Sequence, residues 1–383
     1  MNAPNPQSET RIPASNRARY IMIGGFLGAG KTTSVARLAE RLTQQGLRAG
    51  LITNDQGSEL VDTAMLRSKG FATEEIPGGC FCCRFNSLVE AAKKLTAATR
   101  PDVFIAEPVG SCTDLVATVT YPLRRVYGDH FSIAPLSVLV DPIRARRVFG
   151  LEAGGKFSEK VLYIYRKQLE EADLIVINKC DLLDGARSTR LRASLAELCP
   201  RDELWEVSAR HGTGLEAWFD RIVSSEQEAR TIMEVDYQTY ADGEALLGWL
   251  NATVKVSSTQ SLDGNALLRE FAAAIQQRLG REGSEIAHLK MTLDPDESLG
   301  ELAVINLVRN DYVPELSQAL SDPFDRGQLI LNLRAEVDPE ILRDAVSAAV
   351  DKLVLARANL NLQIEHLEFF RPGKPVPTHR LLA

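Results

Sequence analysis

Residues 25–32 read GFLGAGKT, which fits the pattern G-x-x-x-x-G-K-[ST] of a phosphate-binding loop. An apolar run at residues 20–23 precedes the loop and is typical of a buried strand. The apolar residues that follow the loop recur at the i, i+3, i+4, i+7 spacing of an amphipathic helix: Val35, Leu38, Ala39 and Leu42. Strand, loop and helix therefore stand in the order of a P-loop. A plain glycine turn between a strand and a helix is the competing interpretation.

The P-loop predicts which residues hold the phosphates of a nucleotide. Glycines let backbone N–H groups close around phosphate oxygens, and the N-terminus of the helix adds its positive dipole end. Within the loop, Lys31 is expected to reach the β- and γ-phosphates and Thr32 to ligate Mg²⁺. The predicted phosphate-binding residues are Gly25, Gly28, Ala29, Gly30, Lys31, Thr32 and Thr33.

Four further apolar runs predict the rest of the first domain. They lie at residues 50–53, 102–106, 135–140 and 173–177, with helix-like stretches between them. This alternation is typical of a mostly parallel sheet with helices on both faces. We therefore predict the α/β fold class, with a P-loop NTPase domain.

The last of these runs ends in the N-K-x-D sequence formed by Asn178, Lys179 and Asp181. After a buried strand and downstream of a P-loop, this sequence predicts a guanine reader. We expect Asp181 to accept from guanine N1–H and the N2 amino group, Asn178 to tie the loop to the phosphate side, and the Lys179 stem to lie over the base. Ser208 and Ala209, after a strand-like run, are expected to form a loop whose backbone contacts guanine O6.

A third nucleotide motif is Glu107-Pro108-Val109-Gly110, at the end of the second of these runs. We expect Glu107 to hold Mg²⁺ through water and the Gly110 amide to meet the γ-phosphate. A plain junction between a strand and a turn is the alternative.

Three of the six cysteines, Cys80, Cys82 and Cys83, lie within four positions of the chain, after Gly78-Gly79. Such thiols can converge on one soft or borderline ion such as Zn²⁺ and leave one coordination position open, which suits transfer of the ion. A buried packing element and a redox pair remain alternatives. This use of thiols favours a reducing compartment, so we expect a cytoplasmic protein.

Together these motifs resemble the CobW-like GTPases, a metallochaperone group related to UreG and HypB. The resemblance covers roughly residues 20–225 and includes the P-loop and the C-x-C-C, E-x-x-G and N-K-x-D motifs. The family has an N-E-x-G segment after its second strand, and this chain has Asn54-Asp55-Gln56-Gly57 there. The resemblance implies that Asp55 belongs to switch I and helps to position Mg²⁺ or the attacking water. It implies the catalytic set Lys31, Thr32, Asp55 and Glu107.

The pattern of the C-terminal half predicts a second, smaller α+β domain, ferredoxin-like or like the C-terminal domain of the CobW-like proteins. Its predicted order is strand 249–256, helix 265–279, strands 286–293, 302–308 and 329–335, helix 339–355 and strand 362–370. We expect it to act on clients or to regulate. The predicted organisation is a disordered tail at 1–19, the GTPase domain at 20–229, a linker at 230–240, the second domain at 241–372 and a tail at 373–383.

Composition argues against two classes of partner. With 44 basic and 51 acidic residues the chain has a net charge of −7, so we expect no nucleic-acid partner. No apolar run reaches the roughly 18 residues that span a bilayer, so we expect no membrane association. A mitochondrial transit peptide at the N-terminus is a rival that lacks the periodic arginines. The five histidines are scattered and stay unassigned.

The resulting functional hypothesis is a slow GTPase that uses GTP and Mg²⁺ to deliver Zn²⁺, or another transition metal, to a client metalloprotein. Slow hydrolysis is expected because the sequence identifies no arginine finger. A GTPase switch or assembly factor with structural cysteines is the alternative, and a P-loop kinase fits less well because it does not need N-K-x-D. Homodimerisation stays open.

Overall fold

The computed structural model describes residues 17–57, 61–199, 203–229, 232–296 and 301–381. Most of the tail expected at 1–19 lies outside these residues, as do parts of the predicted linker and the end of the C-terminal tail. The first strand begins at Ala18, so residues 18 and 19 belong to the sheet rather than to a tail. Arg19 is buried there and donates to the carbonyl of Ile222 at 2.7 Å.

The first sheet has eight strands, and every pairing between them is parallel. They are β1 (Ala18–Gly25), β2 (Ala49–Asn54), β3 (Ala72–Ile76), β4 (Val103–Glu107), β5 (Phe131–Ile133), β6 (Ser137–Val140), β7 (Leu174–Ile177) and β8 (Glu203–Glu206). The order is β3-β2-β4-β1-β6-β7-β8, with β5 beside β1. The predicted α/β fold class is confirmed. The strand order reverses around β1, which is where open parallel sheets bind ligands at the carboxyl ends of their strands.

Helices cover both faces of this sheet. They are α1 (Lys31–Gln44), α2 (Val61–Ser68), α3 (Phe85–Thr99), α4 (Tyr121–Tyr127), α5 (Pro142–Val148), α6 (Glu159–Glu170), α7 (Gly185–Leu198), α8 (Leu215–Ser224) and α9 (Tyr237–Leu246). A π-helical segment, Val116–Thr120, precedes α4, and a 3-10 turn, Cys180–Leu182, follows β7. In α1 all four residues of the predicted apolar face are buried. None of the helices in the described part of the chain combines the length and apolar character that a membrane crossing requires.

The second sheet is antiparallel and has six strands in the order β12-β11-β10-β13-β9-β14. The strands are β9 (Leu247–Leu262), β10 (Glu285–Pro295), β11 (Ala303–Leu307), β12 (Glu315–Gln318), β13 (Phe324–Glu336) and β14 (Leu360–Phe370). Helices α10 (Gly264–Arg281) and α11 (Pro339–Ala356) complete a β-α-β-β-α-β unit into which the β11–β12 hairpin is inserted. The fold class predicted for this region is therefore confirmed.

Two details of the linker and of the second domain differ from the sequence prediction. Strand β12 was missed because it is four residues long and has no buried apolar face. Residues 237–240, expected within the linker, form the first turn of α9, because the Asp236 carboxylate accepts from the backbone N–H groups of Gln238 and Thr239 and caps the helix.

The two faces of the second sheet differ in chemistry. One face packs on α10 and α11 through an apolar core that includes Leu250, Leu289, Met291 and Leu333. The opposite face carries buried polar side chains. They lie side by side across the sheet, since the pairing of β10 with β13 and of β13 with β9 sets them opposite one another. These are Asn251, Thr253, His288, Lys290, Thr292, Asn332 and Arg334, which we call the polar face. Several of them contact the first domain, as described below.

Candidate nucleotide and metal sites

The P-loop connects β1 to α1 with glycines in the left-handed region. Gly28 has φ +79° and Gly30 has φ +94°, and a side chain at either position would be strained. Lys31 is buried and its Nζ donates to the carbonyl of Gly25 at 3.0 Å, so the lysine folds back over its own loop. Thr32 is buried beside it, whereas Thr33 is exposed. The structure thus brings the predicted phosphate-binding residues together at the carboxyl end of β1.

The hydroxyl of Thr32 lies between two carboxylates. Its Oγ1 lies 2.7 Å from Asp62 Oδ1 and 3.0 Å from Glu107 Oε1, so the single hydroxyl proton can be donated to either carboxylate. Burial raises the pKa of Glu107 to about 7, and the neighbouring Asp62 charge adds to this. The other oxygen, Glu107 Oε2, is buried without a hydrogen-bond partner among the described residues. A hydroxyl with two carboxylates, one of them with an unsatisfied oxygen, is the donor set that a hard cation such as Mg²⁺ prefers.

At the other end of the P-loop, Asn178 joins two segments that the sequence assigned to guanine. Its Nδ2 donates to the carbonyl of Ala29 at 2.8 Å, and its Oδ1 accepts from the Ala209 N–H at 2.9 Å. The loop at residues 208 and 209 is closed by the Ser208 hydroxyl, which accepts from the His211 N–H at 3.2 Å. The predicted phosphate and base segments are therefore adjacent in space.

Lys179 and Asp181 flank this junction. Lys179 has φ +54°, and its Nζ donates to the carbonyl of Gly28 and to Asp141 Oδ2, both at 2.8 Å. Asp181 lies in the 3-10 turn after β7, where its carboxylate is partly exposed and lies 3.8 Å from His211 Nε2. Its carboxylate is accessible to a ligand.

Gly110 and Asp55 occupy different surroundings. A Cβ at Gly110 would lie 3.0 Å from the Leu27 backbone N, so the E-x-x-G turn and the P-loop touch. Asp55 instead pairs with Arg334 Nη2 of the polar face, at 3.0 Å from Oδ1, and the carboxylate beside Thr32 is that of Asp62. Asp55 thus lies against the second sheet, and its role in positioning Mg²⁺ or the attacking water stays a prediction.

The three clustered thiols converge at the start of α3. The sulfur atoms of Cys80 and Cys82 are 2.8 Å apart, those of Cys80 and Cys83 3.2 Å, and those of Cys82 and Cys83 3.6 Å, and all three are free thiols. A tetrahedral Zn²⁺ with Zn–S bonds of about 2.3 Å needs sulfurs about 3.8 Å apart. Small side-chain movements would therefore let all three bind one ion.

The thiols of the cluster differ in acidity. Hydrogen bonds from the thiols of Cys112, Cys82 and Cys83 hold the pKa of Cys80 well below the usual value of a thiol. The same bond to Cys80 raises the pKa of Cys82 well above that value. One thiolate, on Cys80, is thus stabilised by its thiol neighbours, and thiolate is the form that binds metals.

The C-terminal segment crosses the thiol cluster. The Val376 N–H donates to Cys83 Sγ at 3.2 Å, and the Thr378 N–H donates to the carbonyl of Cys82 at 2.8 Å. Arg380 Nε then pairs with Asp114 Oδ2 at 2.7 Å. We call residues 376–381 the strap.

Sequence reasoning missed four residues that the structure places in these sites: Asp62, Lys290, Arg334 and Cys112. No local motif marks the first three. Cys112 is buried with its thiol beside Cys80. Its place two residues after Gly110 is the signal that could have linked it to the cluster.

Comparisons with known proteins agree with this geometry. Residues 19–206 match the family model described as the CobW/HypB/UreG nucleotide-binding domain. The chain is 30% identical over 239 residues to a protein of a Sinorhizobium species named zinc chaperone CobW, covering 55% of this chain and 60% of that protein. It is 32% identical over 166 residues to the Escherichia coli zinc chaperone YeiR, covering 43% of this chain and 47% of that protein. The chain thus spans about half the length of the curated relatives it matches.

Solved structures give weaker matches. HypB from Helicobacter pylori in complex with nickel aligns at 17% identity and a TM-score of 0.41, covering 56% of this chain and 93% of that one. The Zn(II)-bound YjiA GTPase from E. coli aligns at 16% identity and a TM-score of 0.37, covering 87% and 99%.

The family match includes the P-loop, the C-x-C-C motif, the E-x-x-G turn and N-K-x-D, all of which the fold gathers at one edge of the parallel sheet. Residues 19–206 of this chain therefore match the nucleotide-binding domain of the CobW/HypB/UreG family.

Proposed function

We propose that this protein is a GTPase that binds a divalent transition metal, zinc first among them, at Cys80, Cys82 and Cys83 and delivers it to a client protein. The observation that carries the proposal is the convergence of three free thiols within 4.8 Å of one another. They lie on a loop that accepts a hydrogen bond from Asn54, the last residue of β2 of the P-loop domain. The names of the zinc-chaperone relatives support zinc as the metal.

In this proposal the nucleotide lies along the carboxyl ends of β1, β4 and β7. Lys31 leaves the Gly25 carbonyl to reach the phosphates, and Asp181 reads the guanine edge. Thr32, Glu107 and Asp62 would hold Mg²⁺, which when bound neutralises phosphate charge. The Gly110 amide, which follows Glu107 in the same turn, is placed to respond to the γ-phosphate.

For the metal, the Cys80 thiolate is the first ligand, and binding of the ion releases the protons of Cys82 and Cys83. Three protein ligands leave one position for a thiol or imidazole of the client. We further propose a cytoplasmic location, since reduced thiols are needed, and a client that is itself a metalloprotein.

The test is a zinc titration of the reduced full chain by calorimetry, with and without GTP. We expect one tight site per chain in the wild type and its loss in the Cys82→Ser/Cys83→Ser double variant, with GTP affinity in metal-free buffer unchanged. A matched control is Cys199→Ser, which changes a thiol outside the nucleotide and metal motifs. Stoichiometric tight binding that survives the double substitution would place the metal site elsewhere. Absence of any tight site would favour a GTPase with structural cysteines.

A further inference from the structure

The polar face of the second sheet lies on the loops that are proposed to bind nucleotide. Arg334 pairs with Asp55, and Asn332 Oδ1 accepts from the Val61 N–H at 2.9 Å. Beyond the face itself, a Cβ on Gly28 of the P-loop would come within 3.0 Å of the Val308 side chain. A sheet face that buries polar groups needs partners for them, and here nucleotide-loop residues supply those partners.

Lys290 is the member of this face that enters the proposed Mg²⁺ site. Its Nζ lies 3.2 Å from Thr32 Oγ1 and forms an ion pair with Asp62, whose Oδ1 is 2.7 Å from the same hydroxyl. The ammonium group thus contacts two of the three oxygen donors proposed for Mg²⁺. It is largely buried, with 17% of its side chain exposed.

A cation in this place balances the negative charge of the two carboxylates beside Thr32. Asp62 and Glu107 are both packed around Thr32, and two carboxylates out of water repel one another unless a positive charge lies between them. Lys31 lies nearby but donates to the Gly25 and Phe26 carbonyls of its own loop. Lys290 therefore supplies the counter-charge that Asp62 needs.

We propose that Lys290 is a built-in substitute for Mg²⁺, which holds Thr32 and Asp62 in the nucleotide-free protein and must be displaced when Mg²⁺ binds with GTP. This inference rests on the proposed nucleotide site. A Mg²⁺ ion bound to both Thr32 Oγ1 and Asp62 Oδ1 would lie where the ammonium group of Lys290 lies, so Lys290 and Mg²⁺ exclude one another on these two atoms. Since Lys290 belongs to β10 and Asp62 to α2, displacement also breaks a contact between the two domains.

The consequence is a measurable competition. The apparent affinity for Mg²⁺ is reduced by the fraction of protein in which Lys290 occupies the site, and removing the lysine removes that reduction. A coupling of ordinary allosteric size corresponds to about 5- to 150-fold. The direction of the change on removing Lys290 distinguishes two roles. If Lys290 competes with Mg²⁺, its removal strengthens binding, whereas if it binds phosphate, its removal weakens nucleotide binding.

The experiment is a Mg²⁺ titration of fluorescent N-methylanthraniloyl-GDP binding to the full chain, in wild type and Lys290→Met. We expect half-saturation at an Mg²⁺ concentration lower by about fivefold or more in Lys290→Met. Lys290→Arg keeps the charge and should keep most of the wild-type requirement. Lys255→Met is the matched control, because it makes the same substitution at an exposed position of strand β9 in the same sheet.

A second measurement does not depend on nucleotide binding. Without nucleotide, Mn²⁺ used as the probe for electron paramagnetic resonance should bind Lys290→Met more tightly than wild type, and Lys290→Gln serves if the methionine variant does not fold. Equal or weaker metal affinity in these variants overturns the proposal. Failure of wild-type protein to bind any guanine nucleotide would instead overturn the proposed function, while the Mn²⁺ comparison would still decide the role of Lys290.

Discussion

Asn54 donates its side-chain Nδ2 to the carbonyl of Gly79 at 2.7 Å and to the carbonyl of Ile76 at 2.8 Å. Asn54 is the last residue of β2 and directly precedes Asp55, whereas Gly79 directly precedes Cys80. A single side chain therefore connects the segment after β2 with the loop that carries the thiols. These hydrogen bonds form one described path between the proposed nucleotide and metal sites.

Asn54→Ala should weaken the coupling between metal and GTP. In the wild type each ligand should change the affinity of the other by the same factor, about 5- to 150-fold for typical allostery, because coupling free energies are reciprocal. Loss of the two hydrogen bonds should at least halve this coupling free energy while each ligand alone binds almost normally. Calorimetric titration of each ligand, with and without the other, measures both. Asn361→Ala, at an exposed position of β14, is the control, and equal coupling in the two variants would contradict the path.

Asp181→Asn should remove much of a preference for GTP over ATP. The carboxylate is accessible and would pair with two guanine donors that adenine lacks. An unpaired buried hydrogen-bonding group costs about 1–3 kcal/mol, and about 1.4 kcal/mol is a factor of ten. We therefore expect at least tenfold tighter binding of GTP than ATP in the wild type, measured by competition with a fluorescent nucleotide. Asp184→Asn, at the cap of α7, changes a nearby carboxylate outside the motif. Equal wild-type affinities would refute the guanine assignment.

The sequence predicted what is encoded locally. Helix α1 follows from the spacing of Val35, Leu38, Ala39 and Leu42, and the P-loop is defined by its glycines and Lys31. Lys290 could not be assigned in this way, because its partner Thr32 is 258 residues distant along the chain. Its role depends on how the two domains pack, and that packing follows from the whole pattern of buried polar partners rather than from a motif.

Because His288 is buried, the free energy of unfolding should fall as the pH drops below about 6.5. Burial, followed by the charges of Lys290 and Arg334, lowers the pKa of this imidazole well below its usual value. Below the pKa of histidine in the unfolded chain, the unfolded chain binds a proton that the folded protein does not. The contribution of His288 to stability is therefore fully present above that pKa and is lost as the pH falls towards the lower pKa of the folded protein. The slope from one such group approaches about 1.4 kcal/mol per pH unit.

Urea unfolding of wild type and His288→Gln between pH 5 and 7.5 isolates this contribution, since other groups titrate alike in both proteins. We expect a shallower pH dependence in His288→Gln. His130→Gln alters an exposed histidine and should leave the wild-type slope in place. Identical slopes in all three proteins would show that His288 is not held neutral by its surroundings.

Arg380→Ala should expose the thiol of Cys83. The strap is fixed beyond the cluster by the ion pair of Arg380 with Asp114, whose carboxylate also accepts from the Tyr237 hydroxyl at 2.6 Å. Asp114 is buried, and truncating Arg380 leaves this charge with less compensation, so the strap loses its attachment. The Val376 N–H that donates to Cys83 Sγ should then leave more often, and alkylation by iodoacetamide at Cys83 should become several-fold faster.

Arg357→Ala breaks a comparable ion pair with Glu270 in the second domain and should not change that rate. Mass spectrometry of the modified peptide gives the rate for each protein in the absence of metal, and equal rates for Arg380→Ala and wild type would mean that the strap does not control access to the thiols.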